Sequence, residues 1–85
     1  MSFFVYMILS KHKDKFISYV GYTNNIKNRI HLHNKSKGAK FTKGRKWVII
    51  YHQKYINKSD AMKDEYKLKK DYKLRNKIKN KFIKK

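Results

Sequence analysis

Residues 3–22 read Phe3-Phe4-Val5-Tyr6-Met7-Ile8-Leu9, then Ser10-Lys11-His12-Lys13-Asp14-Lys15, then Phe16-Ile17-Ser18-Tyr19-Val20-Gly21-Tyr22. Two short, largely apolar runs flank one polar segment, and each run reads as a strand. The first is apolar at almost every position, the pattern of a strand covered on both faces. The polar segment suits a hairpin turn, and Gly21 points to a close backbone approach or a bend. A hairpin closed on Ser10 and Lys15 sets Tyr6 directly opposite Tyr19. A register slip of two keeps both tyrosines on one face, whereas a slip of one separates them.

The hairpin leads into further elements on its C-terminal side. Thr23, Asn24 and Asn25 supply N-cap chemistry for a helix from about Asn25 to Asn34. Asn34 to Lys46 carries six basic residues, two glycines and no acid. It reads as a long loop, and loops of that length in small domains are often functional. Trp47 to Gln53 reads as a third strand. Asn57, Ser59 or Asp60 can cap a helix from Asp60 to Asp71, and a basic helix follows over Tyr72 to Phe82. The expected order is β-β-α-β-α-α. That is an α+β fold, a small three-stranded antiparallel sheet flanked by helices, with one domain over residues 1–85.

The composition narrows the function. The chain has 85 residues and a formal charge of +19, from 24 Lys plus Arg against 5 Asp plus Glu. It has no cysteine, which excludes disulfides, thiolate catalysis and a thiolate-held zinc. No stretch approaches the apolar length of a membrane span, and the first residues lack the pattern of a signal peptide, so a cytoplasmic setting is expected. Hydrophobic residues at 40% are too many for a disordered basic tail. A folded domain this basic points to a polyanion, most simply nucleic acid. Lysine outnumbers arginine, as AT-rich coding produces, so a single lysine reads first as a solvated surface charge. The few arginines and acids are more informative.

Three placements stand out. Ile26 and Ile30 set the inward stripe of the first helix, and Arg29 and His33 fall on its two edges. Four residues apart, they are neighbours on the helix surface. Each has an ordinary reading: an arginine snorkelling over its aliphatic stem, and a histidine near solvent. On the helix from Asp60, residues Ala61, Glu65, Leu68 and Tyr72 form an inward stripe with Glu65 in its middle. An ionised carboxylate there needs a cation or donors. Either a salt bridge to Arg29 or a lysine, or a metal, meets that need. The third placement is the Tyr6–Tyr19 pair, whose ordinary reading is sheet packing. Two phenols, an arginine, a histidine and a glutamate converging on one sheet face are harder to read as packing alone.

Val5-Tyr6 followed by Tyr19-Val20-Gly21 resembles the two signature elements of GIY-YIG endonucleases. Arg29 lies ten residues after Tyr19, His33 four later, and Glu65 on a downstream helix. The segments Gly21 to Ile26, Lys37 to Arg45 and Glu65 to Lys70 are similar to the small stand-alone bacterial branch. The resemblance covers about Phe3 to Lys81. The first tripeptide departs from the pattern, reading Phe4-Val5-Tyr6 in place of Gly-Ile-Tyr, but keeps its tyrosine.

The resemblance implies a metal-dependent endonuclease that hydrolyses DNA phosphodiester bonds, structure-selective, in a setting of DNA repair or recombination. Glu65 would hold one Mg²⁺ or Mn²⁺ ion. Arg29 would bind the non-bridging phosphate oxygens. Tyr6 would act as general base, its high reference pKa lowered by a nearby cation. Tyr19 would position water or a phosphate and could exchange roles with Tyr6. His33 would orient Tyr19 or shuttle a proton. Lys40, Lys43 and Arg45 would grip the DNA backbone. RNA is not excluded as a substrate. With no appended targeting domain, specificity would come from DNA structure, come from a protein partner, or be slight.

Two other readings compete with this one. A non-catalytic basic nucleic-acid-binding protein fits the composition but gives no reason for an inward Glu65. A nuclease subunit active only with a partner fits an apolar third strand whose exposed edge could recruit one.

Overall fold

A computed structural model describes residues 2–84. The order is β1 (Phe3–His12), β2 (Lys15–Thr23), α1 (Ile26–Asn34), a short 3₁₀ turn (Lys40–Thr42), β3 (Val48–Tyr55), α2 (Lys58–Lys70) and α3 (Tyr72–Ile83). The three strands form one antiparallel sheet in the order β2-β1-β3. This is the expected α+β architecture, β-β-α-β-α-α. Among the described residues, no helix is long and apolar enough to cross a membrane.

β1 lies in the centre, which explains its nearly continuous apolar sequence. Val5 and Met7 face one side, where they pack with Val20, Ala61 and Leu68 under α2. Tyr6 and Ile8 face the other side, where they pack with Trp47, Ile26 and Ile30 under α1. β2 and β3 are both edges, and Val48 at the start of β3 is half-exposed.

The hairpin closes two residues later than expected. His12 pairs with Lys15, and Lys13 in the turn takes a left-handed φ of 56°. The strands can run on because Lys11 and His12 extend the ladder into solvent, where polar side chains cost nothing to leave exposed. Tyr6 therefore pairs with Gly21 and Tyr19 with Ile8, so the tyrosines are diagonal neighbours. The slip is of two, and both stay on the α1 face.

The helix caps follow from the sequence. The Asn25 side chain accepts from the Asn28 N–H, Asn57 from Asp60 and Asp71 from Leu74. The Asp71 cap ends α2 and starts α3. It also corrects the expected stripe. Tyr72 begins a new helix in a new direction and is 66% exposed, instead of continuing the buried line of Ala61 and Leu68. On α3, Ile78 packs on the core while Leu74 and Phe82 stay partly exposed.

The long loop is tied at both ends. The Asn34 amide accepts from the Trp47 N–H at 2.6 Å and donates to the Trp47 carbonyl at 3.2 Å. The buried Trp47 indole then donates to the Thr42 carbonyl at 2.9 Å. These bonds hold the 3₁₀ turn against the end of α1.

Candidate active site

Tyr6, Tyr19, Arg29, His33 and Glu65 line a single cleft of about 410 Å³. Gly21, Gly38, Asn24 and Lys58 are among the other residues of its wall. The five polar residues singled out in the sequence thus come together, with one difference in arrangement. Tyr6 and Tyr19 stand on the α1 face of the sheet, whereas Glu65 projects from α2, which covers the opposite face. The cleft is lined by Gly21, Tyr22 and Thr23, consecutive residues whose side-chain positions alternate between faces, so it spans the free edge of β2. Lys40, Lys43 and Arg45 lie outside it.

His33 is the most constrained member. It is 1% exposed, far from the solvent-edge position of its ordinary reading. Its Nε2 lies 2.7 Å from the Tyr6 hydroxyl and its Nδ1 2.8 Å from Thr42 Oγ1. Thr42 fixes the direction of both bonds. Its hydroxyl is 2.9 Å from the Ala39 carbonyl, which can only accept, so Thr42 donates there. The single hydroxyl proton is then spent. His33 must carry its proton on Nδ1 and donate it to Thr42, leaving Nε2 as acceptor for the Tyr6 O–H. The Ala39 N–H fills the remaining lone pair of Thr42 at 3.2 Å. The chain runs Tyr6 to His33 to Thr42 to a backbone carbonyl, and every proton in it is accounted for. His33 touches Tyr19 only edge-on, with ring centroids 5.3 Å apart.

Two glycines make this packing possible. A Cβ on Gly21 would stand 2.5 Å from the Tyr6 hydroxyl oxygen, and a Cβ on Gly38 would strike the His33 ring. Gly21 was expected to mark a close approach, and the neighbour is Tyr6. The His33 ring is held on both nitrogens and cannot swing away. Gly38→Ala is therefore expected to cost about 1–3 kcal/mol, the usual penalty of overpacking. For a domain of this size that lowers the melting temperature by about 4 °C or more. An unchanged melting temperature in thermal unfolding would show that the ring is not pinned.

Burial and the neighbouring Arg29 hold the His33 pKa below its usual value. The sign of the consequence follows directly. As the pH falls through about 6.5, the unfolded chain takes up a proton here and the folded chain does not. Stability is therefore lost on acidification below about 6.5, by up to about 1.4 kcal/mol per pH unit until the folded pKa is reached. Melting temperatures between pH 7 and pH 5 are expected to fall more steeply for the wild type than for His33→Gln. Parallel curves would contradict this assignment.

Tyr6 is not a standing phenolate. Burial raises its pKa, Tyr19 adds to the rise, Arg29 opposes it, and Glu65 raises it further. Of the cations expected to lower it, the metal, Arg29 or a lysine, Arg29 acts in the right sense but is outweighed by burial. The Tyr6 hydroxyl donates to His33 Nε2, which the lowered pKa keeps unprotonated at neutral pH.

Glu65 has one weak partner, Lys69 Nζ at 3.8 Å, and its side chain remains 18% exposed. This is the only ion pair among the described residues, so Arg29 does not neutralise Glu65 in this state. Among the described residues, no cluster of three or more His, Asp or Glu gathers anywhere. A metal that demands a full protein cage finds none. Mg²⁺, which keeps several waters and takes one or two carboxylates plus substrate phosphates, fits a lone half-buried carboxylate in an open cleft.

Sequence reasoning did not find Thr42, Gly38 or Lys58. Thr42 and Gly38 sit in a loop, where no periodicity marks an inward position. Lys58 opens α2 and looks like any other lysine of the chain.

A family model described as the GIY-YIG catalytic domain matches residues 2–79, and the chain belongs to that family, whose domain is of the endonuclease type. Within it, the chain is similar to small bacterial proteins designated UPF0213. It is 43% identical over 65 residues to UPF0213 protein OB0043 of Oceanobacillus iheyensis, covering 75% of this chain and 74% of that one. It is 45% identical over 65 residues to UPF0213 protein SH2523 of Staphylococcus haemolyticus, covering 75% and 78%. The solution NMR structure of UPF0213 protein BH0048 from Bacillus halodurans is similar with a TM-score of 0.50 at 30% identity, covering 94% of this chain and 84% of that one.

Proposed function

We propose that the chain is a divalent-metal-dependent endonuclease that hydrolyses DNA phosphodiester bonds, acting on DNA of particular structure. The observation that carries the reading is the convergence of Tyr6, Tyr19, Arg29, His33 and Glu65 in one open cleft. A coat protein needs none of these residues together.

The chemistry follows from the hydrogen-bond chain. Water attacks the phosphorus as Tyr6 takes its proton and passes its own to His33 Nε2. The resulting imidazolium, disfavoured in the free protein by burial and Arg29, is stabilised by the negative charge of the bound phosphate and keeps its Nδ1–H on Thr42. Arg29 pairs with the non-bridging oxygens as their charge grows, a geometry its planar fork suits. Tyr19 positions the attacking water or the phosphate. Glu65 holds Mg²⁺ or Mn²⁺, which when bound would stabilise the charge on the phosphate and on the departing oxygen. Lys40, Lys43 and Arg45 contact the DNA backbone outside the cleft, where +19 of net charge draws in the polyanion. A DNA repair or recombination setting agrees with structure-selective cutting.

The test is direct. Nicked, flapped, branched and plain duplex DNA are incubated with the purified protein in Mg²⁺ or Mn²⁺. Endonucleolytic product from at least one structured substrate is expected. Tight binding with no product from any of them would favour a non-catalytic binding protein instead.

A further inference from the structure

A second hollow of about 300 Å³ lies beside the cleft, further along the free edge of β2. Tyr19 lines both, so one aromatic ring separates them. The other walls of the hollow include Phe41, Lys69 and Arg75. None of these three takes part in the hydrogen-bond chain of the cleft.

Each wall has an unmet need. Phe41 is 57% exposed, an unusual state for a phenylalanine fixed in an ordered turn. It is not loose, because its ring stacks on Tyr19 with centroids 6.1 Å apart and planes at 22°. Its outer face is therefore a flat, oriented aromatic surface open to solvent. Arg75 is half-buried with its guanidinium 5.8 Å from the Tyr72 ring centroid, but it has no carboxylate within 4.0 Å among the described residues, and its buried Nε has no hydrogen-bond partner there. A guanidinium in that state favours an anion. Lys69 is half-exposed and held only by the 3.8 Å contact to Glu65.

An aromatic platform beside two cations matches one ligand chemistry, a planar base joined to a phosphate. We propose that this hollow holds an unpaired nucleotide of the DNA substrate, its base stacked on Phe41 and its phosphate on Arg75 and Lys69. A base in a duplex is already stacked on both sides and cannot lie on Phe41. The hollow therefore selects DNA with a single-stranded arm next to the cut, such as a flap or an overhang. The strand spacing between Tyr19 and Gly21 is about 7 Å, so an extended single strand leaving the cleft reaches the hollow within a nucleotide or two. This inference rests on the nuclease reading for its place in the reaction, and on the hollow alone for binding.

The experiment measures binding in EDTA, where no metal-dependent cutting interferes. The probes are a single-stranded oligothymidine carrying one 2-aminopurine and a blunt duplex of equal charge. Stacking on Phe41 is expected to quench the 2-aminopurine. Phe41→Ala is expected to weaken single-strand affinity about tenfold, the scale of one lost base–aromatic stack, and to remove the quench. Phe41→Tyr is expected to restore both, and blunt-duplex affinity should be unchanged in either variant. Arg75→Ala is expected to weaken the single strand more than the duplex. Phe41 is exposed, so its loss leaves the fold intact, and unfolding curves check this. Equal weakening of both probes, or none, would overturn the proposal. A wild type that quenches the probe in EDTA yet cuts nothing in Mg²⁺ would sustain the hollow and refute the nuclease reading.

Discussion

Glu65→Gln is expected to cut DNA about a hundred- to a thousandfold more slowly than the wild type in single-turnover assays, the scale of removing one main stabiliser of transition-state charge. DNA affinity should change by less than about twofold, because binding is dominated by the many cations. The two readouts separate for a physical reason. Glu65 is one of five acids in a chain of net charge +19, so it contributes little to holding a polyanion and slightly opposes it. The substitution is also mild for the fold. It removes a 3.8 Å contact to the half-exposed Lys69, a type of helical pair worth only about 0.3–0.5 kcal/mol. The amide keeps the shape of the carboxylate but lacks the charge that would hold a divalent ion. Wild-type cutting by this variant would rule out Glu65 as the metal ligand.

Tyr6→Phe is the second large expected loss, about a hundred- to ten-thousandfold, the range of general acid–base catalysis. The ring keeps its packing against Ile8 and Trp47, so the core survives. Only the hydroxyl goes, leaving the buried His33 Nε2 without its donor. That orphaned acceptor costs about 1–3 kcal/mol of stability, which the cleft can reduce by admitting water. Tyr19→Phe is the natural comparison. Tyr19 makes no hydrogen bond to His33, so its hydroxyl lies outside the proton chain, and its loss should slow cutting less. Should Tyr19→Phe prove the more damaging change, the two tyrosines exchange roles and the His33 chain becomes structural.

The sheet was legible because its central strand is apolar on both faces and its neighbours are marked by turns and caps. Glu65 and Arg29 were legible for the opposite reason: rare charges stand on or beside apolar helix faces, where periodicity gives each position a direction. The hairpin register was read two residues short, since polar residues at a hairpin tip can extend the ladder or form the turn equally well. His33 was placed at the helix edge, and its burial comes from a loop that folds over it. Residue spacing on a helix cannot foresee that cover. The same limit hid Thr42 and Gly38, whose positions are set by the Asn34–Trp47 clamp and not by any repeat. Phe41 drew no notice beside Tyr19 because nothing local links a loop residue to a strand residue twenty-two positions earlier.

The tyrosine base looks different once its surroundings are known. The metal, Arg29 or a lysine was expected to lower the Tyr6 pKa; Arg29 does act in that sense, but burial outweighs it. In the proposed mechanism the hydrogen bond to His33 gives the Tyr6 proton a place to go.

The most direct measurement is single-turnover cleavage of an end-labelled flap duplex, in EDTA and across a titration of Mn²⁺. The account predicts no product in EDTA, a rate that rises to saturation with Mn²⁺, and a Glu65→Gln preparation that stays near the EDTA baseline throughout. Product formed equally well in EDTA, or equally fast by Glu65→Gln, would contradict it.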